Sequence, residues 1–431
     1  MTTSANPAGN DSVSVEQTVP TAPVTAAERI DSLDFIRGLA VMGILAANIV
    51  AFGQPMMAYF APSAFLVDAG DPEGWQWITQ FVLIDGKMRG LFTLLFGAGM
   101  YLFMERAWER GATRALQAWR LVLLLGFGLI HFYLIWFGDI LAGYALIGLV
   151  ALAFMHLKAG MKMRMGLFAY ALGCIILSGL LTFPYLIVET SFGQAEGLAE
   201  VRAEMLAGLQ QQSADDALFA ELKQAGNYPA LIAERFERQW YFPFLNPVFF
   251  IFETLSLMLM GMALYRFGFF SGAYTPSKMK LWGWLGVLGG GAAHVALGLF
   301  VKQSGFSYYA ANVAFIGWSM LPRLAMVLGL AALLVVYSPS WTGWFAERVR
   351  AAGRVAFTNY LGTSILMLFV FHGWALGLFG QLNRPELYLL TLGVWALMLL
   401  WSKPWLDRFR YGPLEWLWRC LTYRTVFPIR K

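Results

Sequence analysis

The sequence predicts an all-α protein: a polytopic membrane helical bundle of about ten transmembrane helices with both termini cytoplasmic. Three observations predict it. Of 431 residues, 58% are hydrophobic and 13% charged, where a soluble domain carries about 25% charged residues. Apolar runs of about 20 residues, enough to cross a bilayer as helix, recur along the chain. Lys and Arg gather in alternate short loops, as the positive-inside rule requires. The 17 Trp and 35 Phe add to the apolar excess. The net charge of +5 follows from the loop bias, so nothing points to nucleic acid.

Residues 1–28 are rich in Thr, Ala, Pro, Ser and Val. They lack a basic n-region and a continuous apolar core, which argues against a signal peptide and for a disordered cytoplasmic tail. The apolar runs then place spans near 33–52, 78–104, 117–137, 140–157, 164–188, 245–266, 280–301, 314–337, 354–379 and 387–405. "LIDGKMRG" at 83–90 interrupts the second, so its membrane part is expected to start near Gly90. Five helices form an N-terminal bundle over 29–188, and five form a C-terminal bundle over 245–431 with a basic interfacial tail. Between them, 189–244 holds "GLAEVRAEMLAGLQQQ" and "ALIAERFERQWYF". Their apolar spacing near 3.6 predicts amphipathic helices on the outer face. "YGPLEWLWRCLTYR" at 411–424 mixes Trp and Arg, as an interfacial helix does. Cys174 in an apolar run and Cys420 in the basic tail are expected to stay unpaired.

The orientation comes from the loops. Arg106, Arg110, Arg114 and Arg120 share one; Lys158, Lys162 and Arg164 another; Arg266, Lys278 and Lys280 a third; Arg348, Arg350 and Arg354 a fourth. All fall on the side of both termini in a ten-span arrangement. That side is the cytoplasm.

Ionisable groups inside spans are costly and mark candidate sites. An inner layer holds Asp34, Arg37, Arg354, Asn359 and Tyr360. Asp34 and Arg37 share a helix face, which suits either a helix-start ion pair or a cationic mouth gripping phosphates. An outer layer holds Asn48, Asp85, Lys87, Arg89, His131, Asp139, Glu253, Arg323 and His372. His131 is one of four histidines and lies near the outer end of the third span. Asp139, just past the turn at Gly138, suits a helix cap; a carboxylate beside an imidazole also raises its basicity and fixes its tautomer. His294, among small residues mid-span, suits a packing hydrogen bond. There is no Walker loop, dinucleotide fingerprint or paired Cys-x-x-Cys. One well-placed histidine with scattered carboxylates is a weak metal signal, and no metal is expected.

Six segments carry a resemblance: "RIDSLDFIRGLAVMGILAANI", "FVLIDGKMRGLFTLLFGAGMYL", "LIHFYLIWFGDILAGYAL", "FETLSLMLMGMALYRFGFFSG", "GRVAFTNYLGTSI" and "YGPLEWLWRCLTY". In this order they resemble the YeiB-like family of bacterial membrane proteins, a family of unknown function. Through the "LDFIRGLA" helix the chain is similar, more distantly, to transmembrane acyltransferases. Those include the acyltransferase type three proteins and heparan-α-glucosaminide N-acetyltransferase. That resemblance implies an acyl group, commonly acetyl, taken from cytoplasmic acyl-CoA and delivered to a hydroxyl or amine, often a sugar's, at the other face. In the type three branch a histidine stands eleven positions after the motif arginine. Eleven after Arg37 is Asn48. The heparan-type branch also has asparagine there and draws its histidine from a later segment. Here none follows until His131.

The expectation is a transmembrane acyltransferase in the bacterial cytoplasmic membrane. Acyl-CoA (acetyl-CoA) is the donor substrate, held by Asp34, Arg37, Arg354, Asn359 and Tyr360. His131, oriented by Asp139 or Asp85, is the base, and Asn48 faces the oxyanion. Lys87, Arg89, Glu253 and Arg323 form an acceptor mouth. The implied partners are the lipid bilayer and a small-molecule or glycan acceptor, with homo-oligomerisation left open. The competing expectation is a transporter or channel for a small organic anion, using the same buried charges.

Overall fold

The computed structural model describes residues 31–431; the expected disordered tail at 1–28 lies outside them. The described residues form helices and no strand beyond one antiparallel bridge between Phe409 and Arg430. In chain order they are α1 (Asp31–Gly53), α2 (Trp75–Leu83), α3 (Lys87–Glu109), α4 (Arg114–Ile130), α5 (Leu141–Ala151), α6 (Ala159–Glu189), α7 (Ala199–Gln224) and α8 (Tyr228–Arg238). There follow α9 (Phe242–Phe249), α10 (Ile251–Arg266), α11 (Pro276–Gln303), α12 (Met320–Tyr337), α13 (Trp344–Arg354), α14 (Ala356–Phe371), α15 (Arg384–Arg408) and α16 (Pro413–Tyr423).

Six of the ten expected spans are single helices long and apolar enough to cross a membrane: α1, α4 with its extension to Ile135, α6, α11, α12 and α15. Two more are bent pairs, α9–α10 at 69° and α13–α14 at 86°. They bring the number to eight. The remaining two expected spans fall short. The second is split, because α2 stops at Leu83 and α3 starts at Lys87. Gly86 between them has φ 73°, which a glycine adopts without strain. The fourth, Leu141–Phe154, is apolar but short.

Helix α1 is the hub. Its apolar window is 78% buried, against 17% for α6 and 22% for α11. The peripheral pair therefore turns large apolar side chains such as Phe168, Ile175, Leu285 and Leu288 outward, as lipid-facing helices do. Two crossings are backbone-close. Gly38 of α1 and Gly353 of α13 each leave no room for a Cβ against the other helix's carbonyls, Val349 O and Asp34 O. Gly97 of α3 and Gly261 of α10 meet Met258 O and Leu94 O in the same way. Small residues at such crossings let membrane helices pack where no hydrophobic force drives them together. Helices from before and after the 189–244 segment interleave: α1 packs on α13, α14 and α15, and α10 packs on α3 and α6. Helices α7 and α8 occupy the 189–244 segment, and α16 occupies 413–423. Cys174 and Cys420 are both free.

Candidate functional site

A cavity of about 380 Å³ opens at the end of the bundle where α1 begins. It lies among α1, α3, α4, α5, the α13–α14 bend and α16. Its mouth carries seven arginines: Arg37, Arg106, Arg110, Arg120, Arg354, Arg410 and Arg419. Among the described residues, two carboxylates, Asp34 and Glu415, line it. Asp34 takes Arg37 at 2.8 Å, one helical turn away. Glu415 is occupied with structure: it accepts the Phe357 and Thr358 amides at 2.8 and 3.1 Å and the Thr358 hydroxyl at 2.5 Å. It thus caps the start of α14. Burial pushes the Glu415 carboxyl above its usual range. Arg120 is held flat between the Phe103 and Trp418 rings, 4.3 and 4.2 Å from their centroids. An arginine fixed by stacking keeps its fork of donors free for an anion.

Behind the mouth the walls turn apolar, with Phe92, Leu95, Phe96, Met100, Leu124 and Leu141. The inner end is made by Ile140, Tyr144 and Tyr360. The Tyr144 hydroxyl lies 2.6 Å from Thr93 Oγ1. The Tyr360 hydroxyl accepts the Ile140 amide at 3.3 Å.

Directly behind Tyr360 lies a buried dyad. His131 Nδ1 and Asp139 Oδ1 are 2.8 Å apart, and both side chains are shut off from solvent. A carboxylate accepts and cannot donate, so the imidazole proton is on Nδ1. The Nε2 lone pair is then free, and Nε2 has no hydrogen-bond partner. Asp139 Oδ2 accepts the Ala142 amide at 2.7 Å, so the same carboxylate caps α5. The His131 ring is 5.2 Å from the Tyr360 ring.

The backbone at His131 is unusual. Residues His131–Ile135 form a π-helical turn closed by the Trp136 amide donating to His131 O at 2.7 Å. Such turns are often found at functional sites. The turn leaves carbonyls without helical partners, and α8 supplies the donors. Arg235 Nη1 donates to Phe132 O and Tyr133 O at 3.0 and 2.9 Å, and the Tyr228 hydroxyl to Leu134 O. The Phe236 and Tyr133 rings stack at 4.3 Å.

Asp34, Arg37, Arg354 and Tyr360 line the cavity. Asn359 points elsewhere: it donates to Ala352 O and Ser402 Oγ, and accepts the Trp401 indole N–H at 2.9 Å. None of the other outer-layer residues lines the cavity. Glu253 sits between Arg89 at 2.7 Å and Arg323 at 3.0 Å. Arg323 also donates to Ser319 Oγ at 2.6 Å and to Phe315 O, inside a second π turn at Val313–Trp318. Lys87 donates to Phe81 O at the end of α2. Asp85 accepts from Tyr59 and Gln80 at 3.0 and 3.1 Å, so it does not orient His131. These charges tie broken helices together. Asn48 is half-buried on the α1 ridge between Ile44, which packs with Leu141 and Tyr360, and Phe52, which stacks on Trp136. His294 Nδ1 donates to its own helix at Gly290 O, 2.8 Å away. Among the described residues no group of three or more His, Cys, Asp or Glu is placed to hold a metal ion.

Sequence reasoning missed several residues. Arg106, Arg110 and Arg120 read as loop charges, and Arg410 and Arg419 as tail charges, yet all face one cavity. Arg235 carried a usable signal. It falls four after Leu231 on the apolar face of α8, and both are buried.

A family model described as "Protein of unknown function (DUF418)" matches residues 264–425. The uncharacterized protein YxaH of Bacillus subtilis is 31% identical over 428 residues, covering 95% of this chain and 98% of that protein. The uncharacterized protein YeiB of Escherichia coli is 30% identical over 415 residues, covering 93% and 98%. No solved structure matches.

Proposed function

The chain belongs to the YeiB-like family of membrane proteins, and from that premise we propose that it is a transmembrane acyltransferase. The donor is acyl-CoA, most simply acetyl-CoA, and the acceptor is a hydroxyl or amine presented from the opposite face. One observation carries the reading: an arginine-lined mouth and an apolar channel reach Tyr360, whose ring lies 5.2 Å from an imidazole with an unpartnered nitrogen.

Each part suits one piece of the donor. The arginine mouth matches the phosphates of the nucleotide end, since guanidinium forks bind phosphate in two-point fashion. The apolar walls suit a pantetheine arm. A volume of about 380 Å³ falls within the usual range for ligand sites. The thioester then reaches Tyr360, whose ring forms the floor between cavity and dyad. Displacing that ring brings the thioester carbonyl to His131. His131 Nε2 takes the acceptor's proton as its oxygen or nitrogen attacks the carbonyl carbon. The C–S bond breaks, the thiolate leaves, and the imidazolium returns the proton to it. Asp139 holds the tautomer and balances the imidazolium charge. Asn48, on α1, is the donor for the developing oxyanion.

The orientation follows the same logic. The loops with most Lys and Arg ring the cavity mouth, which the positive-inside rule assigns to the cytoplasm. Cytoplasmic acyl-CoA then meets the mouth directly, in the bacterial inner membrane with both termini inside.

Inverted vesicles given labelled acetyl-CoA test the reading. Label is expected on a lumenal acceptor. His131→Ala, at normal protein level, is expected to lower transfer by about 10²–10⁴-fold, the usual worth of a general base. Undiminished transfer in that variant removes His131 from the chemistry. No transfer across a broad acceptor panel removes the enzyme.

A further inference from the structure

A second, much smaller void lies on the far side of the π turn from the acyl cavity. It measures about 10 Å³, room for one water-sized species. Its walls include Trp136, Lys223, Arg235 and His372, from the π turn, α7, α8 and the end of α14. All four are at least nine-tenths buried. Every one brings an N–H donor, and each has a nitrogen left unused. Trp136 Nε1, Arg235 Nε and His372 Nδ1 are buried without a hydrogen-bond partner. The Lys223 ammonium rests only against the Phe379 and Phe137 rings, 4.4 and 5.6 Å from their centroids.

Among the described residues no carboxylate lines the void to balance them. The one hydroxyl on the walls, Ser364, donates to its own helix at Tyr360 O. Asp216, on the same helix as Lys223, spends its two oxygens on the Met56 and Met57 amides at 2.9 and 2.8 Å. A water molecule can give a proton to the Ser364 Oγ lone pairs, but it brings no charge to set against the two cations. Two cations side by side in a buried place also leave a large uncompensated charge. We propose that this void is a binding site for a small monovalent anion, a free halide. The anion accepts the N–H groups, with His372 in its Nδ1–H tautomer, and offsets one of the two positive charges of Lys223 and Arg235. A halide exceeds water in radius by a few tenths of an ångström, which the flexible Lys223 stem takes up.

The site adjoins the dyad. Trp136, whose amide closes the π turn on His131 O, is in its wall, and Arg235 holds the turn's carbonyls. Anion binding therefore stiffens the turn that carries His131. The proposal stands independently of acyl transfer, because its test reads binding.

Lys223 gives it a pH signature. Burial, then Arg235, lowers its ammonium to about 8, with Asp216 acting in the opposite direction. His372 faces it from the end of α14 and Arg235 from α8. Above about pH 8 Lys223 loses its charge and the anion loses half its counter-charge.

The test uses the purified full chain in detergent. Chloride is titrated against gluconate, too bulky for the void, at fixed ionic strength, and the thermal midpoint is read. A saturable rise of a few degrees is expected at pH 7, fading above pH 8. Bromide should act like chloride, and acetate, too large for the void, should act like gluconate; a saturable acetate response overturns the assignment to this void. Lys223→Met should be at least as stable as wild type in gluconate and indifferent to chloride. If that variant does not fold, Trp136→Phe, which removes one donor, should raise the half-saturating chloride several-fold. A wild type without a saturable response, or variants that respond as wild type does, overturns the proposal.

Discussion

The two oxygens of Asp139 do different work, and a single substitution can separate them. Oδ1 holds His131 Nδ1 and Oδ2 caps α5. Asp139→Asn keeps one oxygen for the cap while offering an NH₂ group to the imidazole. The ring must then accept on Nδ1 and carry its proton on Nε2, which destroys the base. The expected result is a transfer rate lower by about 10²–10⁴-fold with a stability loss under about 1 kcal/mol. Initial rates and thermal midpoints from one preparation decide it; a parallel collapse of both makes Asp139 a cap alone. At this scale the sequence was informative. An imidazole and a carboxylate eight residues apart, both in an apolar stretch, are costly enough to call for each other. It was uninformative for Asn359 and Lys87. Their polar atoms satisfy carbonyls and side chains 6 to 43 residues away, and those separations follow no helical period.

Helix breaks belong to the element scale, and here local sequence ran out. Pro243 and Pro247 signal the α9–α10 bend. The α13–α14 bend has no proline. Its 86° angle coincides with the Glu415 cap, which reaches the α14 amides from 57 and 58 residues away. The π turn at His131 is likewise completed by Arg235, more than 100 residues on. Both depend on tertiary partners that no local window contains. Helix α16 joins these observations to the cavity, since its Trp418 covers one face of Arg120. Trp418→Ala uncovers that guanidinium and lets it wander. The loss should fall on donor binding: a KM for acyl-CoA raised about 2- to 30-fold, the span of a cation–π contact from exposed to desolvated, with kcat little changed. Steady-state kinetics in proteoliposomes measure the split. A fall in kcat at constant KM would place α16 in the chemistry instead.

For the whole molecule the open quantity is the number of crossings, and α5 decides it. With its short extension it has 11 and 3 residues, about 21 Å at 1.5 Å per residue. The apolar thickness of a bilayer is roughly 30 Å. The ten-span reading holds only if the π turn and residues 136–140 complete the crossing from the far side. The structure offers the means, because Arg235, Tyr228 and Tyr360 satisfy backbone groups of that stretch. Non-helical backbone is tolerated at membrane depth when buried in protein. If α5 crosses, α4, α5 and α6 make three passes between Glu109 and Ser213, so those two exposed residues lie on opposite sides. If α5 is re-entrant there are two passes, and both lie on the same side. Replacing Cys174 and Cys420, then adding Glu109→Cys or Ser213→Cys, lets a membrane-impermeant maleimide choose. Intact cells should label the Ser213→Cys protein at once and the Glu109→Cys protein only after permeabilisation. Labelling of both without permeabilisation would reduce the crossings. It would also bring the arginine mouth to the outside, out of reach of cytoplasmic acyl-CoA, and the acyltransferase reading would go with it.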